Sequence, residues 1–193
     1  MPKRLNTGES AIARRSVIPL IRKSATAIII VAIYGKISIT RGIDFLAPLT
    51  SIIEDIGIPI GFLTWVSGPQ QSKKTSLVSA INSHFGNFDK NHSPLSFLDG
   101  IPSLISKSAQ LNNVVVLCDD YFPSANKQEA TQMKKLAEEL ISLSYDRMTR
   151  SRSKSNGKMR KNHRQKSMII ATGESFPELS QSRLSRVLII NMN

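Results

Sequence analysis

Four short apolar runs restrict the fold of this chain more than any other feature. They lie at residues 62–66, 114–118, 168–171 and 187–190. A continuous apolar run of this length is typical of a strand buried on both faces of a parallel sheet. Because helical patterns separate the runs, we predict a three-layer α/β fold with a mainly parallel central sheet.

The segments between these runs define the other elements. Apolar residues recur at helical spacing in residues 74–84, 101–111 and 127–145, which we predict to be helices. Residues 24–56 have similar helical spacing. Residues 87–100 are loop-like, with a short strand predicted at Phe97 and Leu98.

Length and charge limit the class of protein. A chain of 193 residues, 40% of them apolar, has room for one α/β core, which we place at residues 25–193 after a basic arm at residues 1–24. The net charge of +12 points to a polyanionic partner. The single cysteine, Cys118, excludes a disulfide framework and a cysteine zinc site.

No segment of the sequence has the properties of a membrane anchor. The most apolar run, residues 25–34, is well short of the ~20 residues that a spanning helix needs. The basic N-terminus also lacks the early apolar stretch of a signal peptide. We therefore expect a cytoplasmic protein with no membrane partner.

The segment GPQQSKKT, residues 68–75, follows the first predicted strand and opens a helix. It matches the phosphate-loop template GxxxxGK[ST] at Gly68, Lys74 and Thr75, whereas Lys73 replaces the second glycine. In such a loop, backbone N–H groups bind the β-phosphate, a partly exposed lysine reaches the β- and γ-phosphates, and the threonine hydroxyl ligates Mg²⁺. The predicted ATP-binding residues are Gly68, Ser72, Lys73, Lys74 and Thr75. The alternative is an ordinary strand–turn–helix corner rich in lysine.

Two adjacent acids, Asp119 and Asp120, end the second apolar run. Carboxylates at the end of a buried strand are costly unless a cation or another partner holds them. We predict that Asp119 orients Mg²⁺ together with Thr75, and that Asp120 polarises the attacking water as a general base. The alternative is that the two acids cap a helix or form a turn.

The last two strands each carry one further candidate catalytic residue. Thr172 follows the strand at residues 168–171, which we expect between the phosphate-loop strand and the acid-bearing strand. Thr172 would then contact the attacking water or the γ-phosphate. Arg186 directly precedes the last strand and could reach the γ-phosphate of a neighbouring subunit as an arginine finger. The alternative is that Arg186 is a surface residue at a strand start.

Three motifs in this order carry a resemblance to a known family: GFLTWVSGPQQSKKTSL, VVVLCDDYFPS and IIATGESFPELSQSRLSRVLII. Over residues 25–193 the chain resembles the AAA+ ATPase domain of DUF927-type proteins from bacterial mobile elements and phages, relatives of superfamily 3 and MCM-like helicases. The resemblance implies an AAA+-like P-loop ATPase that forms a homo-oligomeric ring. Because the sequence stops at Asn193, just after the last predicted strand, we expect the C-terminal helical lid of such domains to be absent.

A basic insertion occupies residues 147–166. No acid falls between Asp146 and Glu174, and Asn156-Gly157 at its centre is a strong hairpin signal. In the resembled ATPases a hairpin at this position contacts DNA in the central channel. The predicted nucleic-acid contacts are Arg150, Arg152, Lys154, Lys158, Arg160 and Lys161. The alternative is a disordered basic loop that folds on contact with nucleic acid.

Two functions fit these patterns. The first is an ATPase module of a mobile-element DNA replication protein, which couples ATP hydrolysis to translocation on single- or double-stranded DNA or to its remodelling. The second is a degenerate, non-hydrolysing ATPase that serves as a DNA-binding or assembly subunit. A small P-loop kinase fits less well, because the basic run is too long and acid-free to be a lid over an acceptor site.

Overall fold

The computed structural model describes residues 35–86, 95–148 and 164–192. The chain divides into two compact units, residues 1–39 and 40–193. Of the first unit only residues 35–39 are described, and they are helical. The predicted basic arm at residues 1–24 lies outside the described residues and stays a prediction.

Within the described part of the second unit, five parallel strands form one sheet. They are β1 (Leu63–Ser67), β2 (Leu95–Ser96), β3 (Asn112–Tyr121), β4 (Lys166–Gly173) and β5 (Val187–Asn191). Their spatial order is β2-β3-β4-β1-β5, and each neighbouring pair is parallel. The predicted parallel sheet is confirmed, including the position of β4 between β1 and β3.

The helices alternate with the strands along the chain after the first two. Pro48, which has no N–H to donate, lies in a short 3₁₀ turn, Ala47–Leu49, between the first two helices. A second 3₁₀ turn, Ser83–Phe85, follows the third helix. The described helices are α1 (residues 35–46), α2 (Thr50–Asp55), α3 (Lys74–Asn82), α4 (Ile101–Ser108), α5 (Lys127–Asp146) and α6 (Gln181–Leu184).

Two apolar clusters cover the two faces of the sheet. Alternate side chains of a strand point to opposite faces, so Trp65 packs in one cluster and its neighbour Val66 in the other. The Trp65 cluster includes Leu140 of α5, whereas the Val66 cluster includes Val78 of α3. Helices therefore cover both faces, and the predicted three-layer α/β fold is confirmed.

Three strand predictions need correction. Strand β5 is not buried on both faces, because it lies at an edge of the described sheet and leaves Leu188 and Ile189 exposed. Strand β3 does not end at its acids but runs to Tyr121, because its register against β4 shifts between Cys118 and Tyr121 and the ladder then resumes. Asp120 takes a left-handed backbone conformation, with φ of 69°, within this bulge. The short strand β2 lies at Leu95–Ser96 instead of Phe97 and Leu98, since the buried Leu95 pairs with Cys118.

A buried carboxylate fixes both ends of the basic insertion to α2. Glu54, with a side chain only 8% exposed, accepts hydrogen bonds from Arg147 Nε and Arg164 Nη2, each at 2.9 Å. Met148 and Arg164 form an antiparallel bridge, and the Gln165 N–H donates to the Arg147 carbonyl at 2.8 Å. The chain thus enters and leaves the insertion at adjacent points.

Gly61 lies very close to the backbone of α5, and a substitution at Gly61 tests this contact. A Cβ at Gly61 would overlap the carbonyl oxygen of Tyr145 and lie 3.0 Å from its carbonyl carbon. We predict that Gly61→Ala lowers the free energy of unfolding by about 1–3 kcal/mol, the usual effect of overpacking. Urea unfolding followed by circular dichroism measures this change.

The control for this substitution is Gly42→Ala. Gly42 lies in α1, and a Cβ there would meet no atom within 4 Å. Because alanine favours helix more than glycine does, Gly42→Ala should raise the free energy of unfolding by about 1 kcal/mol. Equal effects of the two substitutions would contradict the packing of residue 61 against α5.

Candidate nucleotide site

The carboxyl ends of three neighbouring strands bring the predicted nucleotide-binding residues together. The β1–α3 loop and the ends of β3 and β4 line a cleft of about 340 Å³, a volume typical of small-ligand sites. Residues from all three predicted motifs line it: Lys73, Lys74, Thr75, Asp119, Asp120 and Thr172. The structure therefore places these six predicted residues around one cleft.

The loop between β1 and α3 has an unusual backbone. Gln71 and Lys73 are both left-handed, with φ of 63° and 58°. Gly68 has no room for a side chain, since a Cβ there would lie 2.9 Å from Cβ of Met192 and 3.0 Å from Oγ of Ser72. Lys73 also precedes the first residue of α3, so its backbone leads into the positive end of that helix.

Lys74 is buried inside this loop. Its side chain is directed to the loop's own oxygens, and the residue is 9% exposed, so the expected partly exposed lysine is a wrong prediction. The ammonium group donates to the carbonyls of Gly68 and Pro69, both at 2.8 Å, and to Oγ of Ser72 at 3.2 Å. The physical reason is that an ammonium group removed from water needs hydrogen-bond acceptors, which the loop supplies.

Asp119 joins the loop to the sheet. Its Oδ1 accepts hydrogen bonds from Thr75 Oγ1 at 2.9 Å and from Thr172 Oγ1. Thr75 lies in the first turn of α3 and Thr172 lies in β4, so this one oxygen of β3 connects three elements. The alternative of a helix cap or turn does not describe Asp119, which lies within β3.

The same oxygens fit a hard divalent cation. The Thr75 hydroxyl donates a hydrogen bond to Asp119, so the lone pairs of Thr75 Oγ1 remain available to a cation. Mg²⁺ is commonly held by one or two protein oxygens together with substrate phosphates. A hydroxyl and a carboxylate at the mouth of a phosphate loop match that requirement, although no group of three His, Cys, Asp or Glu residues that could hold a metal occurs in the described part of the chain.

The bulge in β3 directs Asp120 differently from Asp119. Asp120 is exposed and lines the cleft, whereas Asp119 is buried. The cleft also contains Glu174, which sequence analysis left without a role although it stands in the quoted TGESFP segment. Both acidic residues therefore line the same cleft as the phosphate loop.

The loops that carry these acids are braced against the core. The Trp65 indole N–H donates to the Ser175 carbonyl at 3.2 Å, and the Glu174 N–H donates to the Tyr121 carbonyl at 3.3 Å.

Burial raises the pKa of the Tyr121 phenol, so this ring stays neutral. Burial, and then the neighbouring carboxylate of Asp119, raise the pKa of the Cys118 thiol, which is therefore not a candidate nucleophile.

Arg186 lies at the opposite end of the sheet from this cleft. Its carbonyl accepts from the N–H of Leu63 at the start of β1, whereas the phosphate loop follows the end of β1. Its guanidinium stacks 4.3 Å from the Tyr145 ring centroid and lies 3.8 Å from Asp146. Arg186 is thus too distant to act on the nucleotide of its own chain, and its action on a neighbouring subunit stays a prediction.

The six predicted nucleic-acid contacts lie outside the described residues, as do Asn156 and Gly157. What the structure adds is the pairing of Arg147 and Arg164 with Glu54 at the base of the insertion. Nothing in the sequence pattern singled out Glu54, because an acid in a short helix has no distinctive spacing. The predicted contacts are Arg150, Arg152, Lys154, Lys158, Arg160 and Lys161.

The sheet order and the loop after β1 define the class of this protein: it has the fold of a P-loop NTPase. No family model and no curated protein matches the chain. Among solved structures it is similar to SCCmec type IV Cch, described as an active helicase, with a TM-score of 0.54 and 14% identity. The match covers 81% of this chain and 27% of that helicase, so this chain corresponds to about a quarter of its length.

The described helices give no indication of a membrane-spanning segment. None of those within residues 35–86, 95–148 and 164–192 combines the length and apolarity that crossing a bilayer requires.

The bond between Thr172 and Asp119 can be tested by removing one hydroxyl. We predict that Thr172→Val lowers the free energy of unfolding by about 1.5–3 kcal/mol, since a hydrogen bond to a buried charged group is lost while the side-chain volume is kept. Thermal and urea unfolding of the purified variant measure the loss.

Thr64→Val is the matched control. Thr64 lies in β1 and is buried to the same extent, 1% exposed, but its hydroxyl has no hydrogen-bond partner among the described residues. Replacing an unpaired buried hydroxyl with a methyl group should leave stability unchanged or raise it. A similar loss in both variants would show that the Asp119 bond does not stabilise the fold.

Proposed function

We propose that this protein binds Mg·ATP and hydrolyses it as the AAA+-like ATPase module of a helicase-like DNA replication protein. The observation that carries the proposal is the contact of Asp119, near the end of β3, with both Thr75 of α3 and Thr172 of β4. This contact unites the three separate sequence motifs in one cleft. The similarity in fold to a described helicase supports the helicase-like class.

Nucleotide binding would use the loop and the start of α3. The N–H groups at residues 72–75 would receive the β-phosphate at the positive end of the helix. Lys74 would exchange the carbonyls of Gly68 and Pro69 for β- and γ-phosphate oxygens, which are stronger acceptors because they are charged. Thr75 and Asp119 would hold the Mg²⁺, which neutralises phosphate charge when bound.

Hydrolysis would use the exposed acid. Asp120 lines the cleft beside the bulge and would accept a proton from the attacking water as the general base. Thr172 would keep Asp119 in place and would contact the water or the γ-phosphate. Trp65 is the chain's single tryptophan, and its indole N–H donates to the carbonyl of Ser175, which follows Glu174 of the cleft, so its fluorescence would report a change at this edge of the cleft when nucleotide binds.

DNA contact would belong to the basic insertion. Nine lysines and arginines lie between Arg147 and Lys166, and no acid accompanies them. Such a segment binds phosphates with little dependence on sequence and with a strong dependence on salt. Arg147 and Arg164 are occupied by Glu54, so the residues between them would supply the contacts.

Assembly into a homo-oligomeric ring would bring Arg186 to a neighbouring nucleotide. The support for this step is that Arg186 lies far from the cleft of its own chain, as a finger that acts between subunits must. The origin from a mobile element and the relationship to DUF927-type proteins rest on the sequence motifs alone.

A second function, a non-hydrolysing DNA-binding or assembly subunit, is supported by one observation. Lys73 occupies a left-handed position where the phosphate-loop template has glycine, and a side chain there can narrow the cleft. The two functions differ in whether bound ATP is turned over.

The nucleotide assignment predicts different defects for two substitutions. Lys74→Ala should abolish ATP binding, which Trp65 fluorescence titration measures, because the phosphates lose their buried cation. Asp120→Asn should still bind ATP but hydrolyse it on the order of 100-fold more slowly, since a positioned base contributes about that factor. Phosphate release measures the rate.

The two variants also separate the candidate functions. Unchanged ATP affinity in Lys74→Ala would remove the phosphate-loop assignment. ATP binding by the wild type without hydrolysis above the Lys74→Ala background, with and without DNA, would favour the non-hydrolysing subunit.

The basic insertion predicts a change in salt dependence. Replacing Lys154, Lys158, Arg160 and Lys161 with alanine should weaken binding to all DNA sequences about equally. Each lost phosphate contact lowers the slope of log affinity against log salt by ~0.7–0.9, so the slope should fall by up to roughly three units. Fluorescence anisotropy at several salt concentrations measures the slope.

The control removes Lys127, Lys134 and Lys135, which lie on α5 outside the insertion. The slope of log affinity against log salt for this control should match that of the wild type. Basal ATP hydrolysis should persist in both variants. The stimulation of ATP hydrolysis by DNA should disappear only in the insertion variant. An unchanged slope in the first variant would assign DNA binding to another surface.

A further inference from the structure

Lys73 combines a strained backbone with a free charge. Its φ of 58° lies in the left-handed region, which glycine adopts readily and which a lysine adopts at a cost. The residue is exposed and lines the nucleotide cleft. Among the residues that the structure describes, no hydrogen bond or ion pair occupies its ammonium group. A glycine would adopt this backbone conformation with less strain, so the presence of lysine suggests that its side chain has a function.

The other charged residues around the cleft indicate a function for the Lys73 side chain. The ammonium group of Lys74 already has three oxygen partners within the loop. The far side of the cleft is acidic, with Asp119, Asp120 and Glu174. Of the two lysines among the described residues of this cleft, Lys73 is therefore the one whose ammonium group has no hydrogen bond or ion pair. Strained positions of this kind are frequent at functional sites.

The predicted arginine finger leaves a gap that Lys73 can fill. Arg186 lies at the start of β5, and β1 separates that end of the sheet from the phosphate loop. Four residue steps along a strand correspond to about 13 Å, which is more than a side chain spans. Among the described residues that line the cleft, Lys73 and Lys74 are the cations, and both lie on its loop side.

We propose that Lys73 is a catalytic residue that stabilises the charge developed during ATP hydrolysis from within the same chain. This inference rests on the proposed ATPase function and assigns a new role at that site. The water oxygen bonds to the γ-phosphorus, and the bond from the γ-phosphorus to the β–γ bridging oxygen breaks, with its electron pair left on ADP. Asp120 takes one water proton, and ADP and inorganic phosphate are released. The ammonium group of Lys73 attracts the negative charge that grows on the phosphate oxygens.

The test compares three substitutions in the 193-residue chain. Lys73→Gly removes the charge and suits the left-handed backbone, so the variant should fold at least as well as the wild type. Its kcat should fall about 10²–10³-fold, the usual effect of losing one transition-state contact, while ATP affinity changes by less than tenfold. Lys73→Arg keeps the charge and should restore most of the rate. Lys127→Ala, which removes a charge outside the cleft, should behave as the wild type.

A second measurement reads the transition state without turnover. Trp65 fluorescence gives the affinity for ADP with aluminium fluoride, which imitates the transferred phosphoryl group, and for ADP alone. Lys73→Gly should weaken the first by at least tenfold and the second little. Lys74→Ala should weaken both, because it removes ground-state binding as well.

The outcomes separate this proposal from the proposed function. If Lys73→Gly keeps the wild-type kcat and analogue affinity while Lys74→Ala loses binding, the role of Lys73 is wrong and the nucleotide site stands. If Gln71→Gly, which relieves the other left-handed position without touching a charge, slows turnover as much, the effect belongs to the loop backbone and the proposal fails. A wild type that binds ATP without hydrolysis overturns both the ATPase and the Lys73 role.

Discussion

The carboxylate of Asp119 is the point on which the site depends. A buried charge is costly unless hydrogen bonds satisfy it, and Asp119 meets this need with hydroxyls from two other elements, Thr75 of α3 and Thr172 of β4. Because those elements follow and flank the phosphate-loop strand, the same bonds hold the loop against the sheet. The group that would bind a cation is thus also the group that positions the loop.

The sheet order makes this arrangement possible. With β4 between β1 and β3, the carboxyl ends of three parallel strands meet at one edge, and a side chain from each can reach the same point. The aromatic packing of Trp65 with Tyr121, Phe97 and Phe176 holds these strand ends from below. A protein of only 14% identity has a similar fold, so this fold tolerates extensive change in sequence.

The loop after β1 combines a strained backbone with internal hydrogen bonds that hold it in shape. Two non-glycine residues, Gln71 and Lys73, take left-handed conformations in adjacent turns, while Lys74 is enclosed by carbonyl oxygens. Each left-handed residue costs roughly 1–2 kcal/mol relative to an unstrained backbone. The buried ammonium group helps to hold the loop in this shape, because its three hydrogen bonds join residues on both sides of the turn. Nucleotide binding would then replace these internal contacts with phosphate contacts.

The sequence by itself determined the local elements and the identity of the candidate site. Apolar runs of four or five residues predicted β1, β3, β4 and β5, and the spacing of Gly68, Lys74 and Thr75 predicted the loop, because strand burial and phosphate binding each depend on neighbouring residues. The tertiary structure alone decided the bulge that separates Asp119 from Asp120, the burial of Lys74, the pairing of Glu54 with two arginines and the remoteness of Arg186. The partners of Glu54 lie 93 and 110 positions away along the chain, so no local pattern identifies them. Lys74 contacts oxygens only two to six positions away, but the folded shape of the loop decides that these oxygens enclose it.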